Sequence, residues 1–236
     1  YAAMLSGDQF LQKAFIDKLD FHSYVAKQMF NLPEEVNQVK KIHPNERQYA
    51  KAITFGIMYQ AGPAKIAETV NKDAKAGEEI TTAQSKQFIQ KYFNEAKSLK
   101  KFIDGSNKQI ENHAFIYSFF GRKRRLPEAK SPNRGVSQHA IRSGVNFLVQ
   151  SVASDINILG VIDLVKWIED NNYSDDIKPF TVVHDSIVSE VREDLVETYI
   201  ENARRCIQTD RGLSIPGCPI KVDFEVGPSW GELTEL

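Results

Sequence analysis

The sequence predicts an α+β fold, in which a mostly helical first part is followed by a part with a small antiparallel sheet packed on long helices. Apolar residues recur at helical spacing through most of the first hundred residues, and residues 136–170 read as one long helix. The last third changes to a period of two, which is typical of strands. We place the boundary between the two parts at residues 133/134.

Turn and capping residues divide the chain into elements in order. Pro44 opens a helix that Gly62-Pro63 ends, and Thr81 or Thr82 caps another. The predicted helices are 8–19, 22–30, 44–59, 64–71, 81–103, 136–170 and 195–207, with a polar loop at 72–79. The predicted strands are 113–120, 180–183, 187–191 and 220–226, and the first of these belongs to a basic hairpin at 113–127.

The composition is that of a globular protein with a core of normal size. Of 236 residues, 42% are hydrophobic and 26% are charged, and the net charge is -1. The chain has no run of eighteen apolar residues and no signal peptide, so we expect no membrane partner. Two cysteines in a chain of this length favour a reducing compartment over a disulfide scaffold.

The helix at 44–60 carries two different stripes. At about 100° per residue, Ala50, Ile53 and Ile57 share a core-facing side. The other side carries Arg47, Lys51, Phe55 and Tyr59. Cations near a helix N-terminus suit phosphate groups, and a flat apolar ring suits a base. From this pattern alone, a solvated helix face with two packed aromatic rings is the more frequent outcome.

The motif Arg47-x3-Lys51-x3-Phe55-Gly56-x2-Tyr59 resembles the fingers helix of family A (polymerase I-like) DNA polymerases. The resemblance runs along nearly the whole chain, from Ala2-Ala3-Met4-Leu5-Ser6-Gly7-Asp8 to Gly227-Pro228-Ser229-Trp230, with several motifs in the family's order. It implies that residues 1–133 are a helical fingers subdomain and that residues 134–236 are a partial palm. The family usually has glycine where this chain has Gln60.

The resemblance implies a role for each matching residue. Arg47 and Lys51 would hold the triphosphate of a dNTP, with Lys51 also catalytic, and His22 of Asp20-Phe21-His22 would join them. Phe55 would pack on the sugar and base, and Tyr59 would stack near the templating base. Primer-template DNA would be bound by residues of the basic run, which resembles the family's Gly-Arg-Arg segment, and by polar residues of the long helix: Arg122, Arg124, Arg142, Asn146 and Gln150.

The turn His184-Asp185 resembles the family's His-Asp-Glu hairpin, although Ser186 stands where glutamate is usual. The resemblance implies that Asp185 is a catalytic metal ligand for two Mg²⁺ ions and that His184 lies beside the primer terminus. Asp is also a common turn residue without any such role.

The chain begins at Tyr1, and we expect it to be a fragment. In the family, the second metal-binding aspartate and the thumb precede this region. The expected activity is therefore DNA-directed DNA polymerisation in a bacterial or virus-infected cytoplasm, with this part inactive unless a missing N-terminal segment or subunit joins it. The alternatives are a catalytically inactive module that binds DNA and nucleotides, and an unrelated helical protein with a fortuitous motif.

Overall fold

The computed structural model describes residues 1–72, 74 and 79–236. The predicted polar loop at 72–79 falls largely outside these described residues. The chain divides into two compact units, Tyr1–Val149 and Gln150–Leu236. The assignment of the two sequence parts to fingers and palm stays a prediction.

The first unit is mostly helical, as predicted. Its helices are α1 (Ala2–Ser6), α2 (Gln9–Ile16), α3 (Phe21–Phe30), α4 (Val36–Ile42), α5 (Pro44–Met58), α6 (Pro63–Asn71), α7 (Thr82–Glu95) and α8 (Lys97–His113). A short hairpin of β1 (Phe115–Tyr117) and β2 (Lys123–Arg125) follows, and it leads into the long helix α9 (Arg134–Asp170).

The second unit holds the end of α9, the antiparallel hairpin β3 (Ile177–Val183) and β4 (Ser186–Val191), helix α10 (Val196–Gln208) and the pair β5 (Glu225–Val226) and β6 (Thr234–Glu235). Leu164 and Ile168 of α9 form a buried core with Ile177 of β3 and with Ala203 and Cys206 of α10. The predicted α+β class, with a small antiparallel sheet packed on long helices, is therefore confirmed.

The predicted helix at 81–103 is wrong as one element, because it is two helices that meet at Ala96. The backbone leaves the helical conformation at this buried residue, with φ -90° and ψ 60°. The N–H of Leu99, in the first turn of α8, then donates to the buried carboxylate of Asp8 at 3.0 Å. The same carboxylate caps α2 by accepting from the N–H of Leu11 at 3.2 Å. One buried carboxylate thus satisfies donors from two helix starts.

The predicted strand at 220–226 is also wrong in extent, because only Glu225–Val226 pairs with another strand. The carbonyl of Ile220 accepts a hydrogen bond from the side chain of Gln208, and Lys221 pairs with Asp223. The hydrogen bond from Gln208 occupies a backbone carbonyl that a neighbouring strand would otherwise bind. The strand predicted at 113–120 is also shorter in the structure, where it covers Phe115–Tyr117.

Length and composition alone would let α9 cross a membrane, since one 18-residue window has a mean hydropathy of 1.5. The core helix of a water-soluble protein passes the same test. A Cβ atom added at Gly144 would lie 2.5 Å from side-chain atoms of Ile110 and Leu126, and one added at Gly160 would lie 3.0 Å from Ile207. These close approaches are those of a helix packed against other protein elements.

Gly56 lets α5 and α6 approach closely. A Cβ atom added there would lie 2.5 Å from Cγ1 of Ile66, whose side chain is fully buried. Gly105, also inside a helix, has nothing within 4 Å of an added Cβ atom. The two glycines therefore differ in packing, although both are helical.

We predict that Gly56→Ala lowers the free energy of unfolding by about 1–2 kcal/mol, because overpacking outweighs the gain in helix propensity. The matched control Gly105→Ala should raise it by about 0.5–1 kcal/mol. Urea unfolding followed by circular dichroism measures both. Equal shifts of the same sign would show that the contact with Ile66 does not limit this position.

Candidate functional site

Helix α5 presents the two sides that its sequence predicts. Ala50, Ile53 and Ile57 are at most 3% exposed, which confirms the core-facing stripe. Phe55 and Tyr59 are 48% and 51% exposed, and Lys51 is exposed as well. These large apolar rings lie at the surface beside a lysine. We call Arg47, Lys51, Phe55 and Tyr59, together with His22, the α5 face.

Helix α3 packs against α5 and brings His22 to the α5 face. The His22 and Phe55 rings are 5.8 Å apart between centroids, at a tilt of 43°. The pKa of His22 is lowered first by burial and then by the positive charge of Arg47, and Lys51 lowers it further. The positive charges of Arg47 and Lys51 therefore both act on His22, whereas the negative charge of Asp20 raises its pKa.

Arg47 does not project freely into solvent, because it forms a bidentate pair with Asp20. Its Nε donates to Oδ2 of Asp20 at 2.7 Å and its Nη2 donates to Oδ1 at 2.8 Å. The Arg47 hydrogen bonds hold the pKa of Asp20 well below its usual range. Asp20 also caps α3, since Oδ2 accepts from the N–H of Ser23 at 2.9 Å. The carboxylate thereby fixes the start of the helix that carries His22.

The end of α5 is held by a side-chain contact to α8. Gln60 has a left-handed φ of 50°, and its Oε1 accepts from Nδ2 of Asn107 at 2.9 Å. Glycine adopts this conformation without strain, whereas glutamine is strained in it. The hydrogen bond from Asn107 holds the Gln60 side chain in place.

Two cationic side chains of the basic hairpin contact other protein side chains. Nζ of Lys123 lies 3.9 Å from the centroid of the Phe115 ring. Nη2 of Arg124 donates to Oγ of Ser143 on α9 at 2.7 Å, and its guanidinium lies 5.4 Å from the Phe147 ring centroid. Arg124 is consequently half-buried, whereas Arg122 and Arg125 are exposed.

The remaining predicted residues lie on α9 and in the β3–β4 hairpin. Arg142 and Asn146 are half-buried residues of α9 in the first unit, and Gln150 is exposed at the start of the second unit. His184 and Asp185 are exposed at the two-residue turn between Val183 and Ser186, where His184 has a left-handed φ of 56°. Oγ of Ser186 donates to the carbonyl of Val183 at 2.9 Å and closes the turn.

Several residues of the site were not predicted from the sequence. In the sequence motif Asp20 is only the neighbour of His22, although an Asp before a helix is a recognisable capping signal. Gln60 is held by Asn107, and Arg124 is held by Ser143 and Phe147. These partners lie in distant parts of the sequence of the first unit. No local pattern in the sequence indicates these three contacts.

The chain belongs to the DNA polymerase family A, whose model matches residues 1–232. It is 49% identical over 240 residues to a DNA polymerase of Escherichia phage T5, covering 95% of this chain and 28% of that protein. It is 29% identical over 230 residues to DNA polymerase I of Pseudomonas aeruginosa, covering 98% of this chain and 23% of that protein. The chain thus spans about a quarter of the length of these relatives.

A solved structure has the same fold. The POL domain of Pol1 from M. smegmatis, in complex with DNA primer-template and dNTP, matches with a TM-score of 0.78 and 25% identity, over 93% of this chain and 36% of that chain.

We predict that Asn107→Ala lowers the free energy of unfolding by about 1 kcal/mol, because it leaves the Gln60 carbonyl without its donor. Gln60→Gly should change stability little, since relief of left-handed strain offsets the lost hydrogen bond. In the Gln60→Gly background, Asn107→Ala should then have a smaller effect than in the parent. Urea unfolding of the four proteins measures this coupling. Additive effects would contradict a direct contact.

Proposed function

We propose that the chain forms the fingers and part of the palm of a DNA-directed DNA polymerase and that the α5 face binds the incoming dNTP. The observation that carries this proposal is the convergence of His22, Arg47, Lys51 and Phe55 on one surface of a family A chain. Three nitrogen-bearing side chains beside exposed aromatic rings match the chemistry of a nucleoside triphosphate.

Each side chain of the α5 face has a distinct role in this proposal. Arg47 and Lys51 donate hydrogen bonds to the phosphates, with Lys51 also facing the charge that develops on the leaving pyrophosphate. His22 adds a third donor from α3. Phe55 packs on the sugar and base, and Tyr59, one turn further along α5, stacks near the templating base.

Primer-template DNA is proposed to bind two further groups of residues. Arg122 and Arg124 neutralise backbone phosphates at the basic hairpin, and Arg124 is held in a fixed position by Ser143. Arg142, Asn146 and Gln150 recur every four residues along α9. Their guanidinium and amide groups suit the minor-groove acceptors that base pairs present in common, which favours grip on paired duplex without reading of sequence.

Asp185 is proposed as one ligand of a divalent ion at the turn between β3 and β4, with His184 beside the primer terminus. An exposed carboxylate on a turn fixed by two strands suits Mg²⁺, which prefers oxygen ligands. Among the described residues, no group of three or more His, Cys, Asp and Glu side chains could hold a metal ion. The described residues therefore do not complete a two-metal site, and nucleotidyl transfer requires carboxylates in addition to Asp185.

Ser186 favours a second candidate function, a catalytically inactive module that binds DNA and nucleotides. Its hydroxyl donates to the carbonyl of Val183, so it closes the turn and brings no negative charge beside Asp185. Binding by the α5 face needs no carboxylate at this turn. The two candidate functions therefore predict the same binding of DNA and nucleotides. Only the polymerase predicts nucleotidyl transfer.

We predict that dNTP affinity rises as pH falls, because the phosphates raise the pKa of His22. Without ligand, burial and the nearby cations hold that pKa below the ordinary value for histidine. A bound polyanion raises it, so binding takes up a proton, and affinity increases as pH falls through the interval between the free and the bound pKa. Fluorescence titration with a dNTP between about pH 5.5 and 8 measures the dependence, which should reach about two- to tenfold.

His22→Gln should lose this part of the pH dependence, and the exposed His139 supplies a matched control. His139→Gln should retain it. An identical pH profile in the parent and in His22→Gln would contradict contact between His22 and the phosphates.

We predict that Asp185→Ala reduces the rate of single-nucleotide incorporation with Mg²⁺ by about 100-fold or more, because it removes a metal ligand. The exposed Asp175 in the same unit provides a matched control, and Asp175→Ala should retain the rate. Both variants of the purified protein, in its natural length, should bind primer-template DNA within about twofold of the parent. Normal incorporation by Asp185→Ala would overturn the metal assignment. Duplex binding without incorporation by the parent protein would favour the inactive module.

A further inference from the structure

The carboxylate of Asp20 binds both the start of α3, the helix that carries His22, and the side chain of Arg47. Its carboxylate accepts the N–H of Ser23 at the start of α3, and it accepts two donors of Arg47 at 2.7 Å and 2.8 Å. Its side chain is 40% exposed and that of Arg47 is 22% exposed, so a ligand can reach the pair from solvent.

The carboxylate also occupies donors that a phosphate group would use. An arginine has five N–H donors in a planar fork, and Asp20 takes Nε and one N–H of Nη2, which form one edge of that fork. A phosphate that binds this edge through two parallel hydrogen bonds must first displace Asp20. A phosphate that binds only the remaining donors lies close to the ionised carboxylate and is repelled by it.

The charges around Asp20 favour exchange between the two anions. Positive charge comes from Arg47 and Lys51, which both lower the pKa of His22, whereas Asp20 raises it. Asp20 therefore supplies negative charge to this cluster of cations when no phosphate is bound. Because the pair is partly exposed to solvent, water and dissolved ions screen its attraction, and a polyanion with several negative charges can compete for Arg47.

We propose that Asp20 is an internal competitor for phosphate groups at Arg47, which weakens dNTP binding and speeds the release of pyrophosphate. The proposal rests on the proposed function of the α5 face. Since nucleotidyl transfer leaves pyrophosphate on the residues that held the triphosphate, return of Asp20 to Arg47 assists product release. A purely structural role for Asp20 predicts the opposite result, because loss of the cap and of the pair would disorder His22 and Arg47 and weaken binding.

The test uses Asp20→Asn, which keeps an N-cap of equal quality and removes the charge. A second variant, Asp20→Ser, also keeps a capping oxygen, and its side chain is too short to reach Arg47. Asp17→Asn serves as the matched control, because it removes one exposed carboxylate nearby that pairs with Lys13 and not with Arg47.

The measurements are equilibrium titration and stopped-flow dissociation of a dNTP and of inorganic pyrophosphate, with purified full-length protein. Asp20→Asn and Asp20→Ser should bind both ligands roughly three- to tenfold more tightly, mainly through slower dissociation. Asp17→Asn should stay within about twofold. In an Arg47→Ala background, the effect of Asp20→Asn should become smaller, because the competition for Arg47 is removed.

The outcomes separate this inference from the proposed function. If the parent binds dNTP and both Asp20 variants bind it equally or more weakly, the competitor role is overturned and the nucleotide site stands. If neither the parent nor the Asp20 variants bind dNTP, the proposed nucleotide site is overturned, and the competitor role falls with it.

Discussion

The burial of one side of α5 determines where its cationic and aromatic side points. Ala50, Ile53 and Ile57 are enclosed by the core, and each side chain of isoleucine size contributes about 1.5–3 kcal/mol when it is buried. Rotation of α5 would expose these residues and push Lys51 inward, which would bury an unpaired charge. The outward direction of the cations and aromatic rings is therefore a consequence of core packing. Gly56 strengthens this constraint because it brings α6 into close contact with the helix.

Core packing alone does not set the direction of a long charged side chain. The ion pair between Asp20 and Arg47 sets the direction of the Arg47 guanidinium. The carboxylate fixes the plane of the guanidinium through two hydrogen bonds, while its third hydrogen bond fixes the start of α3. A single residue thus couples the position of His22 to that of Arg47. The anion that organises these residues is the same kind of group that the α5 face is proposed to bind.

Local periodicity was sufficient to predict the elements that carry the site, and it was insufficient to predict their partners. The two stripes of α5, the long helix α9 and the turn at His184 and Asp185 follow from spacing and turn chemistry within short windows. Asp20 and Arg47 are 27 residues apart, and the Leu99 N–H is 91 residues from the Asp8 carboxylate that accepts it. Such pairs depend on tertiary packing, so the division of the predicted helix at Ala96 was not visible in its own sequence.

The prediction of a strand at 220–226 failed for a related reason. Alternation shows that a segment is able to form a strand, but a strand also needs a partner whose N–H and C=O groups are free. The side chain of Gln208 donates a hydrogen bond to the carbonyl of Ile220, and strand pairing begins only at Glu225. Family resemblance predicts a role for individual residues, whereas periodicity predicts only the side of a helix, because the resemblance uses residue types in order along the chain.

The proposed binding and the proposed transfer chemistry depend on different charges in this chain. The donors proposed for phosphate lie between residues 22 and 51 in one compact unit and carry nitrogen ligands suited to an anion. The turn at Asp185 offers a single carboxylate, and Ser186 stabilises that turn through the carbonyl of Val183. A glutamate in its place would add attraction for a cation and also repel Asp185 when the cation is absent. The serine thus favours a well-formed turn over strong cation binding, so a metal ion there must draw most of its attraction from other carboxylates.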